Sequence, residues 1–407
     1  MSSILPVKFG EWYEKHQTPA KHDLVASTVS AISLAQLLDI SESKKESEEK
    51  IGLNSIVLDE KEHPAGSLEL RRNLAALYSA RSGGVTYDDI LITNGGSAAQ
   101  YTVFYSLLSA GDHIICQHPV DELLYKIPTI KGIEVTLWEA DPAKQWQLDI
   151  EELKGLIKDN TKMVVIQSPC DPTGAIVPKS TLEALVQVAE EKGVLLLADE
   201  TNRPLFHSIL PSSEDFPPSA INIGYEKAIV VGAVSKAYSL AGIRTGWIAS
   251  KDKAIINACK QTRRYTSTVS SKLDEAIAAE AVSDRCIHAL LGRNIRLTQT
   301  NLDVLQAFIE SHSWACSWVN PLAGTTAMLK FHKMGKPVDD EAFCEQLCEQ
   351  AGVLICPASS CFGDGHRFRG YVRVAFGGPT PELKAALGAW AQFMEESYDS
   401  IPTISRK

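Results

Sequence analysis

Several apolar runs in this sequence end in groups that can do chemistry, and the groups are of complementary types. "AIVVGAV" (228–234) leads into Ser235 and Lys236, and Arg244 follows eight residues after the lysine. "VLLLADE" (194–200) carries Asp199, "ILIT" (90–93) opens onto "NGGSAAQ" with Gly96 and Ser97, and "MVVIQS" (163–168) opens onto "SPCDPTG" with Asp171. A lysine whose pKa is lowered is a nucleophile toward a carbonyl. Small residues at a helix start offer unpaired N–H groups and a positive dipole end to an anion. A carboxylate can keep a ring nitrogen protonated, so that the ring accepts electrons. Taken singly each feature is ordinary: a strand-end aspartate is more often a helix cap, and a lysine is usually solvated.

They can act together only if their elements end on one rim. The runs above, with "HIICQ" (113–117) and "GWIAS" (246–250), are β-rich and almost unbroken by polar residues, as strands buried on both faces are. Between them lie amphipathic stretches such as 180–193, where Ser180 and Glu183 read as a capping box, Leu182, Leu185, Val186 and Ala189 form one stripe, and Gly193 ends the turn. The βαβα order predicts an α/β fold with a mostly parallel, doubly wound sheet, and ligands bind beyond the carboxyl ends of such strands. After about residue 275 the pattern changes to helices (275–311, 338–351 and 381–397) with the strands "TTAMLKF" and "YVRVAFGG". We therefore expect a large domain over 50–275, a smaller α+β domain over 276–407, and an N-terminal segment, 1–49, that joins the smaller one. The charge run "SESKKESEEK" (41–50) reads as a solvated helix face or loop.

With 407 residues, 44% hydrophobic and 22% charged, a sizeable core is expected. The net charge of −10 and the lack of a basic run argue against nucleic acid as a partner. No stretch has the apolar length of a membrane span, and the first residues carry neither a signal-peptide nor a transit-peptide pattern, so a soluble cytoplasmic protein is expected. The nine cysteines are scattered from Cys116 to Cys361. Cys344 and Cys348 sit at i,i+4 without a second His/Cys pair, so reduced thiols are expected and no metal site.

One cofactor has needs that match all these groups: pyridoxal 5'-phosphate. Its phosphate takes N–H groups, hydroxyls and an arginine, its aldehyde takes an amine, and its ring nitrogen takes a carboxylate. At these residues the sequence resembles the fold-type-I pyridoxal-phosphate enzymes of aminotransferase class I/II. "GSLELRRNLAALY" (66–78), "ITNGGSAAQ", "SPCDPTG", "ADETNR" (198–203), "SKAYSLAGIRTG" and "YVRVAFG" (371–377) are similar to that family's motifs and stand in its order. The N-terminal "FGEWYEKHQTPAKHDLVASTVSAISLAQL" loosely resembles the capreomycidine-synthase-like branch.

The resemblance implies that Lys236 forms the Schiff base and moves the Cα proton through a quinonoid, that Asp199 pairs with the pyridinium, and that Gly96, Ser97, Ser235 and Arg244 hold the phosphate. It implies that Arg373 binds the substrate's α-carboxylate as a fork. Other positions depart from the family pattern. Asp171 stands where Asn is usual beside the cofactor's 3-oxygen, and Asn202 where Tyr is usual. An ionised carboxylate cannot donate to a phenolate, so Asp171 is protonated, or turns toward the substrate, or the Schiff-base proton is redistributed; Asn202 is a candidate for the missing amide. Asp121 replaces the usual stacking aromatic, with Tyr125 one turn later as a substitute or a core residue. Ala233 replaces a serine, and Lys61 falls near where a partner subunit's Tyr commonly reaches the phosphate.

The expected activity is that of a PLP-dependent aminotransferase acting on the Cα of an α-amino acid. The alternative is a β-eliminating (carbon–sulfur) lyase or a cyclase of specialised amino-acid metabolism. A ligand sensor or inactive partner is a third class; a regulator of this type is expected to carry an added DNA-binding helix-turn-helix, for which the first fifty residues read as too short and too acidic. The resemblance also implies a homodimer with shared sites. Segments 23–31 and 265–271 are candidates for the substrate wall.

Overall fold

The apolar runs form one seven-stranded sheet, in the spatial order Ile90–Thr93, Gly246–Ala249, Ala228–Ala233, Leu195–Asp199, Thr161–Gln167, His113–His118 and Glu134–Glu139. The computed structural model behind this description covers residues 6–404, apart from 60, 62 and 81–83. Gly246–Ala249 is antiparallel to both neighbours, and every other pair in the sheet is parallel. A parallel return needs a crossover of a dozen or more residues, usually with a helix. The link from Ala233 to Gly246 contains only a short 3-10 turn, Ala241–Ile243, so the strand comes straight back.

Side chains alternate between two cores, one on each face of the sheet. Ile92, Val164, Ile166, Leu196 and Val230 belong to one; Leu91, Met163, Val165, Leu197 and Val231 belong to the other. This is the doubly wound arrangement that the unbroken apolar runs require. The edge strand Glu134–Glu139 is half-exposed, and its interspersed polar residues Glu134, Thr136 and Glu139 hide it from a search for apolar runs.

Two local expectations need correction. The helix expected from residue 180 runs Lys179–Lys192 with Pro178 as N-cap, so Ser180 lies inside the first turn and makes no capping box; Lys179 instead faces Glu183 at 3.8 Å. Gly193 does end it, at φ 68°. The stretch 275–311 is two helices, Lys272–Ala281 and Ile287–Ser311. Between them Ser283 donates its N–H and hydroxyl to the Glu280 carbonyl, and Arg285 turns back onto the Glu280 carboxylate.

A second, antiparallel sheet is built on Thr326–Lys333 and Tyr371–Ala375, with Cys316–Trp318, Lys336–Pro337 and Cys356–Pro357 around them. His22–Asp23 pairs in parallel with Val353–Leu354, and the Trp12 indole donates to the Ile355 carbonyl at 2.9 Å. The N-terminal segment thus leans on this second sheet. Much of the charge run becomes the helix Lys44–Ile51, buried at Ser47 and Ile51. All nine cysteines are buried and free. No helix among the described residues is long and apolar enough to cross a membrane.

Candidate active site

Because Gly246–Ala249 runs backwards, its first residues meet the last residues of its two neighbours. Thr93 and Ala233 both pair with Gly246, which brings the turn at 94–96 and the loop 235–244 to one rim. The approach is so close that a Cβ on Gly246 would lie 2.5 Å from the Gly95 carbonyl carbon and 2.8 Å from the Gly96 nitrogen. Gly95 has φ 88°, and a Cβ there would stand 2.9 Å from Arg244 Nη2. The helix Gly96–Leu107 starts at this point, with Ser97 exposed in its first turn. Arg244, itself exposed at φ 46°, donates to the Ala241 carbonyl at 2.9 Å. Helix N–H groups, a hydroxyl and a guanidinium therefore surround one small space that only glycines leave open, a cradle suited to a phosphate.

Asp199 ends its strand fully buried. Its carboxylate accepts the Thr201 N–H at 2.9 Å, the Thr201 hydroxyl at 2.7 Å and the Gln100 side-chain amide at 2.6 Å. Burial pushes its pKa up, and these hydrogen bonds with the Lys236 charge act against the rise without cancelling it. A partly protected, buried carboxylate of this kind gains from a cationic partner. Among the described residues no donor reaches the buried Gln100 Oε1.

Lys236 is half-buried beside Ser235. Its ammonium donates to the Ser27 hydroxyl and lies 3.7 Å from Asp171 Oδ2. Asp171 in turn grips Arg373 with both oxygens, Oδ1 on Nε at 2.9 Å and Oδ2 on Nη2 at 3.0 Å, while Nη1 donates to the Val25 carbonyl at 2.8 Å. Burial alone would raise the Asp171 carboxyl; the Arg373 and Lys236 charges overcome this and hold it below the usual carboxylate range. Asp171 is therefore ionised, and its partner is the arginine rather than a proton. The Phe9 ring covers the guanidinium of Arg373 at 5.0 Å. Phe9 reaches there because the N–H groups of Lys8 and Phe9 both donate to Glu122, at 3.0 and 2.9 Å.

A cavity of about 180 Å3 lies among Phe9, Ser27, Asp121, Asp171, Lys236 and Arg373. Of the two segments expected to form the wall, 23–31 supplies Ser27 and the Val25 carbonyl, whereas 265–271 does not border this cavity and Tyr265 is almost fully exposed. Tyr125 is buried and edge-on to His118, a core residue. Asn202 is buried with its amide donating to the Pro169 carbonyl at 3.3 Å. Lys61 is exposed, its N–H on Asp59 at 3.2 Å.

The donor set suits pyridoxal phosphate: an anion cradle that a Cβ would fill, a buried carboxylate with its own hydrogen bonds, and an amine on the same rim. The aminotransferase class I and II family profile matches residues 40–389. This chain belongs to that family.

This chain is similar to a solved PLP-dependent aminotransferase from Streptococcus suis, 32% identical with a TM-score of 0.86 over 97% of this chain and 98% of that one. It is similar to the aspartate aminotransferase of Thermotoga maritima, 27% identical over 81% of this chain and 82% of the relative. It is also similar to the capreomycidine synthase of Streptomyces vinaceus, 28% identical over 93% and 91%. A solved PLP-dependent cyclase, OrfR, superposes with a TM-score of 0.82 at 26% identity over 96% of this chain and 97% of that one. The chain is thus an aminotransferase-like enzyme of fold type I, and its cofactor is pyridoxal 5'-phosphate.

Several of the site's supports have no signature of their own in the sequence. Gln100 could have been found, since it lies one turn beyond Gly96 and so on the same helix face. Thr201, Ser27 and Phe9 have no such signal, because each is brought in by tertiary packing.

Proposed function

We propose that this enzyme binds an α-amino acid with its carboxylate at Arg373, and that Lys236 moves the Cα proton. The observation that carries the reading is the meeting on one rim of the Lys236 amine, the Asp199 carboxylate and the Gly95–Gly96/Arg244 cradle. Pyridoxal phosphate, bound there, supplies an electrophilic aldehyde and a ring that takes up the electron pair released when a bond at Cα breaks. Gly96 and Ser97 with Arg244 and Ser235 would hold the phosphate, and Lys61 is assigned to the phosphate of a partner subunit's site in a homodimer. Asp199, oriented by Thr201 and Gln100, would be the carboxylate that pairs with the ring nitrogen and holds its proton.

Arg373 must give up its present partner, or share it, when a substrate carboxylate arrives. Asp171 then stands beside the Lys236 amine, where it acts as a counter-charge, and Asn202 is tied to the loop before Asp171 through the Pro169 carbonyl. Phe9 and the helix Lys8–His16 cover the arginine and limit water around it. We place the enzyme in the cytoplasm.

A second reading, expulsion of a group from the substrate's β-carbon by a lyase or cyclase, is favoured by Asp121. That carboxylate borders the cavity and is pushed up to about 6, which fits it to pass a proton to a leaving group.

The test is borohydride reduction of the protein incubated with pyridoxal phosphate, followed by peptide mapping. Cofactor fixed on Lys236 is the expected result; an unlabelled Lys236 overturns the proposal. Amino acids are then added with and without a keto acid. Accumulation of the pyridoxamine form supports transamination, and release of ammonia or thiol without it supports elimination.

A further inference from the structure

Ser27 touches the amine on which the proposed reaction turns. The Lys236 ammonium donates to its hydroxyl, and Asp171 Oδ2 stands 3.7 Å from Nζ, beyond hydrogen-bond length. Among the described residues the hydroxyl is thus the one hydrogen-bond partner of Nζ. The same hydroxyl is among the groups that hold the Asp171 carboxyl down. Asp121 and Asp199 act on Lys236 from further off, and Arg373 is bound to Asp171. Each of the three carboxylates favours the charged form of the lysine.

Main-chain contacts fix the place of Ser27, so its hydroxyl is free for this task. The Leu24 carbonyl accepts the Ala375 N–H at 2.7 Å, and the Val25 carbonyl accepts Arg373 Nη1 at 2.8 Å. The Ser27 carbonyl accepts the Thr325 hydroxyl at 2.8 Å, and the Ser30 N–H donates to the Gly377 carbonyl at 2.8 Å. A Cβ on Gly377 would lie 2.5 Å from the Thr28 carbonyl oxygen, a measure of how closely this stretch lies against the second sheet.

We propose that Ser27 is a positioning residue for Lys236, its hydroxyl letting the amine lose and regain a proton without losing its partner. The proposal rests on the reading of Lys236 given above. Nζ attacks a carbonyl carbon, or takes a proton from Cα, only through a lone pair, so the ammonium must first give up a proton. An ionised carboxylate is a partner for the charged form alone, because it has no hydrogen to donate. A hydroxyl serves both forms: it accepts from the ammonium and, turned about its C–O bond, donates to the neutral amine. Without it, the groups left acting on Nζ are carboxylates, which hold the proton on.

The experiment mixes cofactor-free protein with pyridoxal phosphate over a range of pH, and follows attachment by absorption and by borohydride fixation on Lys236. Ser27→Ala should attach the cofactor about tenfold more slowly at neutral pH, with the half-maximal rate moved upward by about one pH unit. The two rates should meet at high pH, where the amine is neutral in both proteins. Ser27→Thr, which keeps the hydroxyl, should recover most of the rate; Ser27→Cys, close in shape but a weak hydrogen-bonding group, should follow Ser27→Ala. An unchanged rate in Ser27→Ala, a loss equal at every pH, or a loss shared by Ser27→Thr overturns the assignment. If wild type attaches cofactor at Lys236 and the variants match it throughout, only the role of Ser27 is lost. If wild type attaches none, the proposed function fails and this inference fails with it.

Discussion

Asp121 also sets a test that needs no substrate. Burial is the main cause of its raised pKa, with Asp171 and Asp199 adding to it and the Leu123 N–H and the Lys236 charge opposing, and the result is a carboxyl pushed up from 3.8 to about 6. A group raised in the folded state favours folding while protonated, and that contribution is lost as pH climbs through about 6. At pH 8 the ionised side chain therefore costs stability. Asp121→Asn, which cannot ionise, should be more stable than wild type there by roughly 1–2 kcal/mol, with the difference closing near pH 4. Urea unfolding of the cofactor-free proteins at both pH values checks this. A difference independent of pH would mean that the shift is misjudged. Asp171 has the opposite sign: its lowered pKa makes its pairing with Arg373 a contribution present at neutral pH and lost on acidification.

The strand Gly246–Ala249 and the loop before it are the elements on which the cofactor cradle depends. Two backbones approach at Gly246 with no room for a methyl group, and the obstacle is main chain rather than a movable side chain. Gly246→Ala should push the 94–96 turn out of place, lowering stability by about 1–3 kcal/mol and weakening retention of pyridoxal phosphate on dialysis by tenfold or more. Gly388→Ala is the control. It lies exposed in the helix Thr380–Glu396 with nothing near its Cβ position, and the change should raise stability by about 0.5–1 kcal/mol without altering cofactor retention. Normal retention in Gly246→Ala would show that the cradle tolerates a wider gap than these distances allow.

At the scale of the whole molecule, Leu53, Val57 and Leu58 are exposed on the segment that leads to Lys61. Apolar side chains in solvent fit a surface that a second copy covers. If Lys61 serves the partner's phosphate site, Lys61→Ala loses cofactor, and Lys236→Ala cannot bind it covalently. Mixed dimers of the two variants regain one intact site, because the Lys61→Ala subunit keeps Lys236 and its partner keeps Lys61. Cofactor retention and activity should therefore return when the two inactive preparations are dissociated and reassembled together. No recovery would place Lys61 outside the shared site.

The sequence by itself determined the elements whose patterns are local. Unbroken apolar runs specify strands buried on both faces, because both sides must leave water. The polar residues that end those runs mark the rim, so Lys236, Asp199, Gly96 and Arg244 were legible before any coordinate. Tertiary structure alone decided how they are paired. Asp171 and Arg373 are 202 residues apart, and Glu122 meets Phe9 across 113. Nothing in the neighbourhood of either residue encodes such a meeting, since it follows from how two sheets and an N-terminal helix pack. The same holds for the reversed strand at 246–249, whose composition is that of the other strands of the sheet. Its direction follows from the short connection behind it, and with that direction come the contact between Gly246 and Gly95 and the site built on it.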